Sequence, residues 1–300
     1  MTRVFDVFPL GYETDVLLLR LETLADVVDE FCIVEGDRTF TGAPRDWLWM
    51  RGLNRDPRFA PFLDRISWHG VEIHDDPEWP FGREQWERER VLRGAMLPLV
   101  DAAGAGPDDI VIVSDADEIP HPDAIEWAKL EIERSAEFFT LGGATQERPT
   151  GYQMIRLPGH YHQLKLDLRA INSLSPEYLW EWRQPLIGRR SAFTHAQHDR
   201  AERQKAEDTL TAPSYVPRGW HMTCMGTFAD IAAKLKAYSH TEYGVLDSDD
   251  IEQCYRNRRA VAHAVHLDQV SLAELPAPVR QDPARWAHML AQPVEVLERG

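Results

Sequence analysis

Asp109-Ile-Val-Ile-Val113-Ser114-Asp115-Ala-Asp117-Glu118-Ile-Pro120 is the stretch on which the reading of this chain turns. Four apolar residues, all β-branched, stop abruptly at three carboxylates. Ile110 to Val113 has the composition of a strand buried on both faces, as in a parallel sheet covered by helices. The carboxylates follow its C-terminal end, the edge at which open α/β sheets bind ligands. Pro120 and Pro122 stop the strand, and Asp123 is placed to cap a helix over about 124–133. Three carboxylates in four positions repel one another, so a positive group is expected among them. Hard divalent cations such as Mg²⁺ or Mn²⁺ take oxygen ligands and share them with substrate phosphates. A solvated acidic turn that caps a helix is the plain alternative.

Working outward, Arg3 to Phe8 reads as a first strand, ended by Pro9 and Gly11. Leu17, Leu18, Leu21, Leu24 and Val28 follow at helical spacing, with Thr14 as the expected N-cap. Phe31 to Val34 is a second buried strand, completing a β-α-β unit. Glu13 and Asp15 lie at the exit of the first strand and Glu35 and Asp37 at that of the second. In a parallel sheet these groups share an edge with Asp115 and Asp117. Ile66 to Ile73 suggests a third strand. Arg83 to Asp101 reads as one helix that Pro98 bends or shortens. Its arginines, Arg83, Arg88, Arg90 and Arg93, alternate with glutamates as in a solvated face of ion pairs, although one of them is long enough to reach the acidic site.

Beyond residue 135 the pattern becomes antiparallel. His160 to Leu168 alternates like a strand with one polar face. Trp180 and Trp182 suit either a core or a sugar-stacking surface. His195 to Asp208 is strongly polar and reads as a surface loop or lid. Thr227 to Tyr238 and a segment opened by Ser248 are helical, and the proline-rich tail from Leu275 is expected to wrap the surface. One domain is expected over 1–300, with a nucleotide-sugar half (1–135), an acceptor-side half (136–270) and a tail (271–300).

The chain has 300 residues and a formal net charge of −16, which argues against nucleic acid or an anionic membrane as the main partner. The three cysteines, Cys32, Cys224 and Cys254, match no zinc spacing, and a reducing cytoplasm is the expected location. No leader and no apolar run of the ~18 residues needed for a membrane span is read.

Several segments together resemble glycosyltransferase family 17. They are Gly11-Tyr-Glu-Thr-Asp-Val-Leu-Leu-Leu-Arg-Leu21, Val27-Val-Asp-Glu-Phe-Cys-Ile-Val-Glu35, Thr39-Phe-Thr-Gly42, the Asp109–Pro120 stretch, Gly219-Trp-His221 and Lys234-Leu-Lys-Ala-Tyr-Ser-His240-Thr-Glu242. The resemblance runs in order over about 3–245. It implies a GT-A-like nucleotide-sugar-binding fold, α/β, with a mixed central sheet flanked by helices. It also implies an inverting, metal-dependent transfer of a sugar, N-acetylglucosamine by analogy, from a UDP-sugar donor to a glycan or other hydroxyl acceptor. Under that reading Asp117 and Asp115 hold Mn²⁺ or Mg²⁺, with His221 as a further ligand, and Glu13, Asp15, Glu35 and Asp115 line the nucleotide edge. Asp167, Glu147 and Glu181 are the candidates for the base that takes the acceptor proton, Asp167 first because an alternating strand fixes its direction. The animal enzymes of the family carry a membrane anchor, and none is expected here, so their acceptor does not transfer. Two other readings stand beside this one. A phosphatase-type hydrolase also uses Asp-x-Asp after a strand, and a non-catalytic carbohydrate-binding protein would use the aromatics alone.

Overall fold

The computed structural model describes residues 2–135, 139–141, 144–146, 154–171, 181–182, 185–196, 209–261 and 265–292. The apolar runs become strands β1 (Val4–Pro9), β2 (Glu30–Gly36), β3 (Ile66–Val71) and β4 (Ile110–Val113). β1 pairs in parallel with both β2 and β4, and β2 in parallel with β3. Two clusters explain why β1, β4 and the middle of β2 are apolar at nearly every position. Phe8, Ile33 and Ile112 face α1 (Thr14–Leu24). Phe5, Val7, Cys32, Val34, Val111 and Val113 pack on the opposite face, with Leu92, Met96 and Val100. Both faces are therefore covered, as parallel sheets require.

A four-residue helix, α2 (Leu48–Arg51), follows the second strand. Several local expectations change in detail. Glu13, not Thr14, occupies the cap position of α1. The helix expected over 83–101 is two, α3 (Glu84–Gly94) and α4 (Met96–Ala102). The break falls at Gly94–Ala95. Pro98 lies in the first turn of α4, where its missing N–H has no helical partner to lose. After β5 (Glu118–Ile119) comes α5 (Pro122–Ser135).

The second half holds β6 (Phe139–Leu141), β7 (Ala144–Gln146), β8 (Met154–Arg156), β9 (Gly159–Leu164), β10 (Leu168–Ile171), β11 (Glu181–Trp182), β12 (Leu186–Arg189), β13 (Thr209–Thr211), β14 (Gly219–Met225) and β15 (His266–Gln269). It is mixed, not antiparallel throughout, because β13 pairs in parallel with β8 and β14 in parallel with β9. The expected strand over 160–168 is two strands, divided at Leu164, whose φ is +71°. The first sheet runs β13-β8-β12-β4-β1-β2-β3, with β12 antiparallel to β4 and β8. It is the mixed α/β sheet flanked by helices that was expected. A second sheet runs β15-β10-β9-β14-β5, with β11 also on β9. α6 (Phe228–Ala237) and α7 (Ser248–Arg256) cover it through Ile231, Leu235 and Ile251.

The tail does more than wrap the surface. Val279, in α8 (Ala277–Gln281), and Trp286 and Met289 are buried in the cluster that contains α1. Among the described residues no helix is long and apolar enough to cross a membrane.

Candidate active site

The first sheet delivers Asp115 and Asp117 to a turn, and the second sheet locks the turn in place. β5 pairs antiparallel with β14, Glu118 opposite His221 and Ile119 opposite Trp220. The Met222 amide donates to the Asp117 carbonyl at 2.7 Å. Gly219 permits the crossing, because a Cβ there would stand 2.3 Å from the Ile119 carbonyl oxygen. β14 then carries a bulge at Cys224, whose φ is +51°.

From α1 the buried Arg20 completes the turn. Its guanidinium holds the Asp6 carboxylate through two contacts of 2.7 and 2.6 Å. It also donates to the Ser114 hydroxyl and to the carbonyls of Asp115 and Glu118, at 2.9 and 2.7 Å for the carbonyls. Arg20 thus fixes the path of the acidic turn without reaching its carboxylates. Glu118 serves the same end. One of its oxygens accepts from the Asp115 amide and the other from the Trp182 indole at 2.6 Å. Trp182 in turn lies over the His221 ring, with centroids 4.2 Å apart.

Above the turn is a cavity of about 210 Å³. Glu13, Asp115, Asp117 and His221 line it, together with Arg93, Lys234 and the aromatic rings of Tyr12, Phe40, Tyr161, Trp182, Tyr238 and Tyr243. Lys234 Nζ lies 2.7 Å from Glu13 Oε1 and 2.8 Å from Asp117 Oδ2. His221 Nε2 is 3.5 Å from Asp117 Oδ1. Arg93 Nη1 is 2.6 Å from Asp115 Oδ1, while its Nε donates to Glu89. One arginine of the charged helix therefore does reach the acidic site. Burial alone would push the Asp117 carboxyl up, but Lys234 and His221 outweigh it and hold the group well below the ordinary range. Burial likewise opposes charge on Lys234, and Asp117 and Glu13 outweigh it, so its pKa rises well above that of a free lysine.

Asp117 offers the carboxylate oxygen that Mg²⁺ and Mn²⁺ take, and His221 beside it an imidazole nitrogen, which suits such ions less well than oxygen does. His221 Nδ1 is buried without a hydrogen-bond partner among the described residues. No three His, Cys, Asp or Glu side chains among the described residues are drawn together as a finished metal shell. The acidic oxygens face cationic side chains instead.

Of the sequence-selected residues, the structure gathers Glu13, Asp115, Asp117 and His221 around this cavity. Three others have different surroundings. Asp15 turns to Arg58 and His288, at 2.9 and 3.0 Å. Glu35 is fully buried and takes Arg45, the amides of Leu48 and Trp49, and the Trp68 indole, which anchors the loop after β2. Asp167 accepts from the Ala291 amide and the Gln269 side chain, both at 2.7 Å, and so clasps the tail. None of the three lines the cavity. Glu181 pairs with Arg218 at 2.8 Å, next to the cavity-lining Trp182. Glu147 lies outside the described residues, as does most of the segment 195–208. Lys234 and Arg20 are the residues that sequence reasoning missed.

The comparisons with known proteins meet this geometry at its N-terminal side. Residues 1–133 match glycosyltransferase family 17. The matched stretch contains β1 to β5, Arg20, Arg93 and both aspartates of the turn. The beta-1,4-mannosyl-glycoprotein 4-beta-N-acetylglucosaminyltransferases of Rattus norvegicus and Homo sapiens are each 31% identical to the chain over 131 residues. That is 43% of this chain but only 23% and 24% of those proteins. Among solved structures, M. tuberculosis glucosyl-3-phosphoglycerate synthase aligns over 79% of each chain at 14% identity, with a TM-score of 0.30. A likeness that low carries no argument.

Proposed function

We propose that the cavity over Asp115 and Asp117 binds a nucleotide-sugar, a UDP-sugar such as UDP-N-acetylglucosamine, and that the chain transfers its sugar with inversion to a hydroxyl of a glycan or similar acceptor. The observation that carries this reading is a coincidence of position. The family-matched segment contains an Asp-x-Asp turn at the C-terminal edge of a parallel strand, and that turn is the floor of the cavity. The α/β scaffold is used here as a GT-A-like donor site.

In the transfer, the acceptor oxygen forms a bond to the anomeric carbon on the face opposite the diphosphate. The bond from that carbon to the diphosphate oxygen breaks, its electron pair stays on that oxygen, and the acceptor proton passes to a base. A Mn²⁺ or Mg²⁺ ion held by Asp117 and His221, with Asp115 beside them, would offset charge on the departing diphosphate when bound. The chain's own part is to hold that charge-stabilising set rigid. Arg20 fixes the turn from below, and Glu118 orients Trp182, which with Tyr161 gives a sugar ring an aromatic wall.

The test is UDP release from a panel of UDP-sugars in the presence of Mn²⁺, with and without simple glycan acceptors. Asp117→Asn should lower the rate by about 100-fold or more, with its melting temperature near wild type. Near-wild-type turnover in that variant, or no turnover and no binding across the panel, would overturn the proposal.

A further inference from the structure

Lys234 sits where a divalent cation would be expected. An ammonium group has three donors, and here they meet three oxygens: Glu13 Oε1 at 2.7 Å, Asp117 Oδ2 at 2.8 Å and Thr223 Oγ1 at 3.5 Å. The other Asp117 oxygen faces His221 Nε2. Asp115 is already held by Arg93. Arg38 and Arg45, the other cations of the cavity wall, lie beside Asp37 and Glu35.

We propose that Lys234 is an internal placeholder cation, which occupies the Asp117 site in the ligand-free protein and which a divalent metal ion must displace in order to bind. This rests on the reading of Asp117 and His221 as metal ligands and adds to it a competition built into the chain. Charge supports it. Three cavity-lining carboxylates, Glu13, Asp115 and Asp117, face two unit cations, Arg93 and Lys234. Exchanging the ammonium for a divalent ion supplies the missing charge. Retaining both cations against the same carboxylate would set a double and a single positive charge a few ångströms apart in a largely water-excluded site. The lysine stem is flexible enough to leave. Its side chain lies at the cavity wall, so the released ammonium is free to meet an anionic donor group.

The experiment is a Mn²⁺ titration followed by electron paramagnetic resonance, with no nucleotide present, on the whole chain. Wild type should bind Mn²⁺ weakly, and Lys234→Gln and Lys234→Met should each bind one ion about tenfold tighter or more. Lys234→Arg keeps the charge and should stay at the wild-type level. The Asp117→Asn/Lys234→Gln double variant should lose the gain. The proposal fails if the neutral variants bind no tighter than wild type. It also fails if wild type itself binds an ion with a Kd below about 10 µM, a result that needs no variant to fold. Because no nucleotide is used, a chain that turns over no UDP-sugar but shows the gain keeps the placeholder lysine and loses only the proposed activity.

Discussion

Arg20 and Lys234 both bring a cation to the same acidic turn, one from α1 and the other from α6. Arg20 is fully enclosed, and its contacts go to one carboxylate, one hydroxyl and the carbonyls of the turn. Lys234 keeps about 15% of its side chain exposed, bridges two carboxylates and borders a cavity. The arginine fork can satisfy a fixed backbone path, whereas a lysine is a point charge on a mobile stem. The first arrangement is suited to holding a shape and the second to exchanging a partner.

This contrast breaks most sharply at Arg20. Arg20→Met leaves Asp6 charged and unpaired in the core and should cost about 3–5 kcal/mol in urea unfolding. The double variant Asp6→Leu/Arg20→Met should recover more than half of that. Lys234→Met, whose Asp117 retains His221 and an open cavity, should cost less than about 2 kcal/mol. Equal costs for the two single variants would erase the distinction between the sites.

A pH titration sharpens the comparison through His162, a buried histidine outside both pairs. His162 is buried, its Nδ1 is 2.7 Å from the Leu166 carbonyl, and burial, aided by His160, pushes its pKa down to about 3. The unfolded chain takes up a proton near pH 6.5 and the folded chain does not. Its contribution is therefore complete above pH 6.5 and drains away as the pH falls toward about 3. Unfolding at pH 5 against pH 7.5 should show a loss of about 2 kcal/mol from this group, and His162→Gln should remove that slope. The smallest effect is expected at Asp167, which holds the tail outside the cavity. Asp167→Asn should cost about 1–2 kcal/mol of stability and leave UDP-sugar turnover unchanged. Loss of turnover without loss of stability would return Asp167 to the reaction.

How much of this was legible depended on whether a residue's partner is local. The runs that became β1, β2 and β4 announced themselves because both faces are covered and their central positions, Asp6 apart, are apolar. The place of Asp115 and Asp117 followed from the strand that precedes them. The partners did not follow, since Asp117 and Lys234 are 117 residues apart and meet through the β5–β14 pairing. One signal of a distant partner is present in the sequence. Asp6 stands within Val-Phe-Asp-Val-Phe and Arg20 within a run of leucines, and a charge embedded in each of two buried elements needs a buried partner. Glu35 and Asp167 show the converse. Their positions suggested a polar edge, but backbone amides and side chains around them consume their oxygens. The tail misled because its prolines signal an irregular path, and an irregular path still buries Trp286 and Met289.

The measurement that tests the account most directly is amide hydrogen exchange with and without UDP-N-acetylglucosamine and Mn²⁺. The account predicts added protection in peptides covering 9–13, 115–118, 221–225 and 234–243, which meet at one cavity from both sheets. Protection confined to other segments, or none at saturating nucleotide-sugar, would contradict the placement of the donor over Asp115 and Asp117.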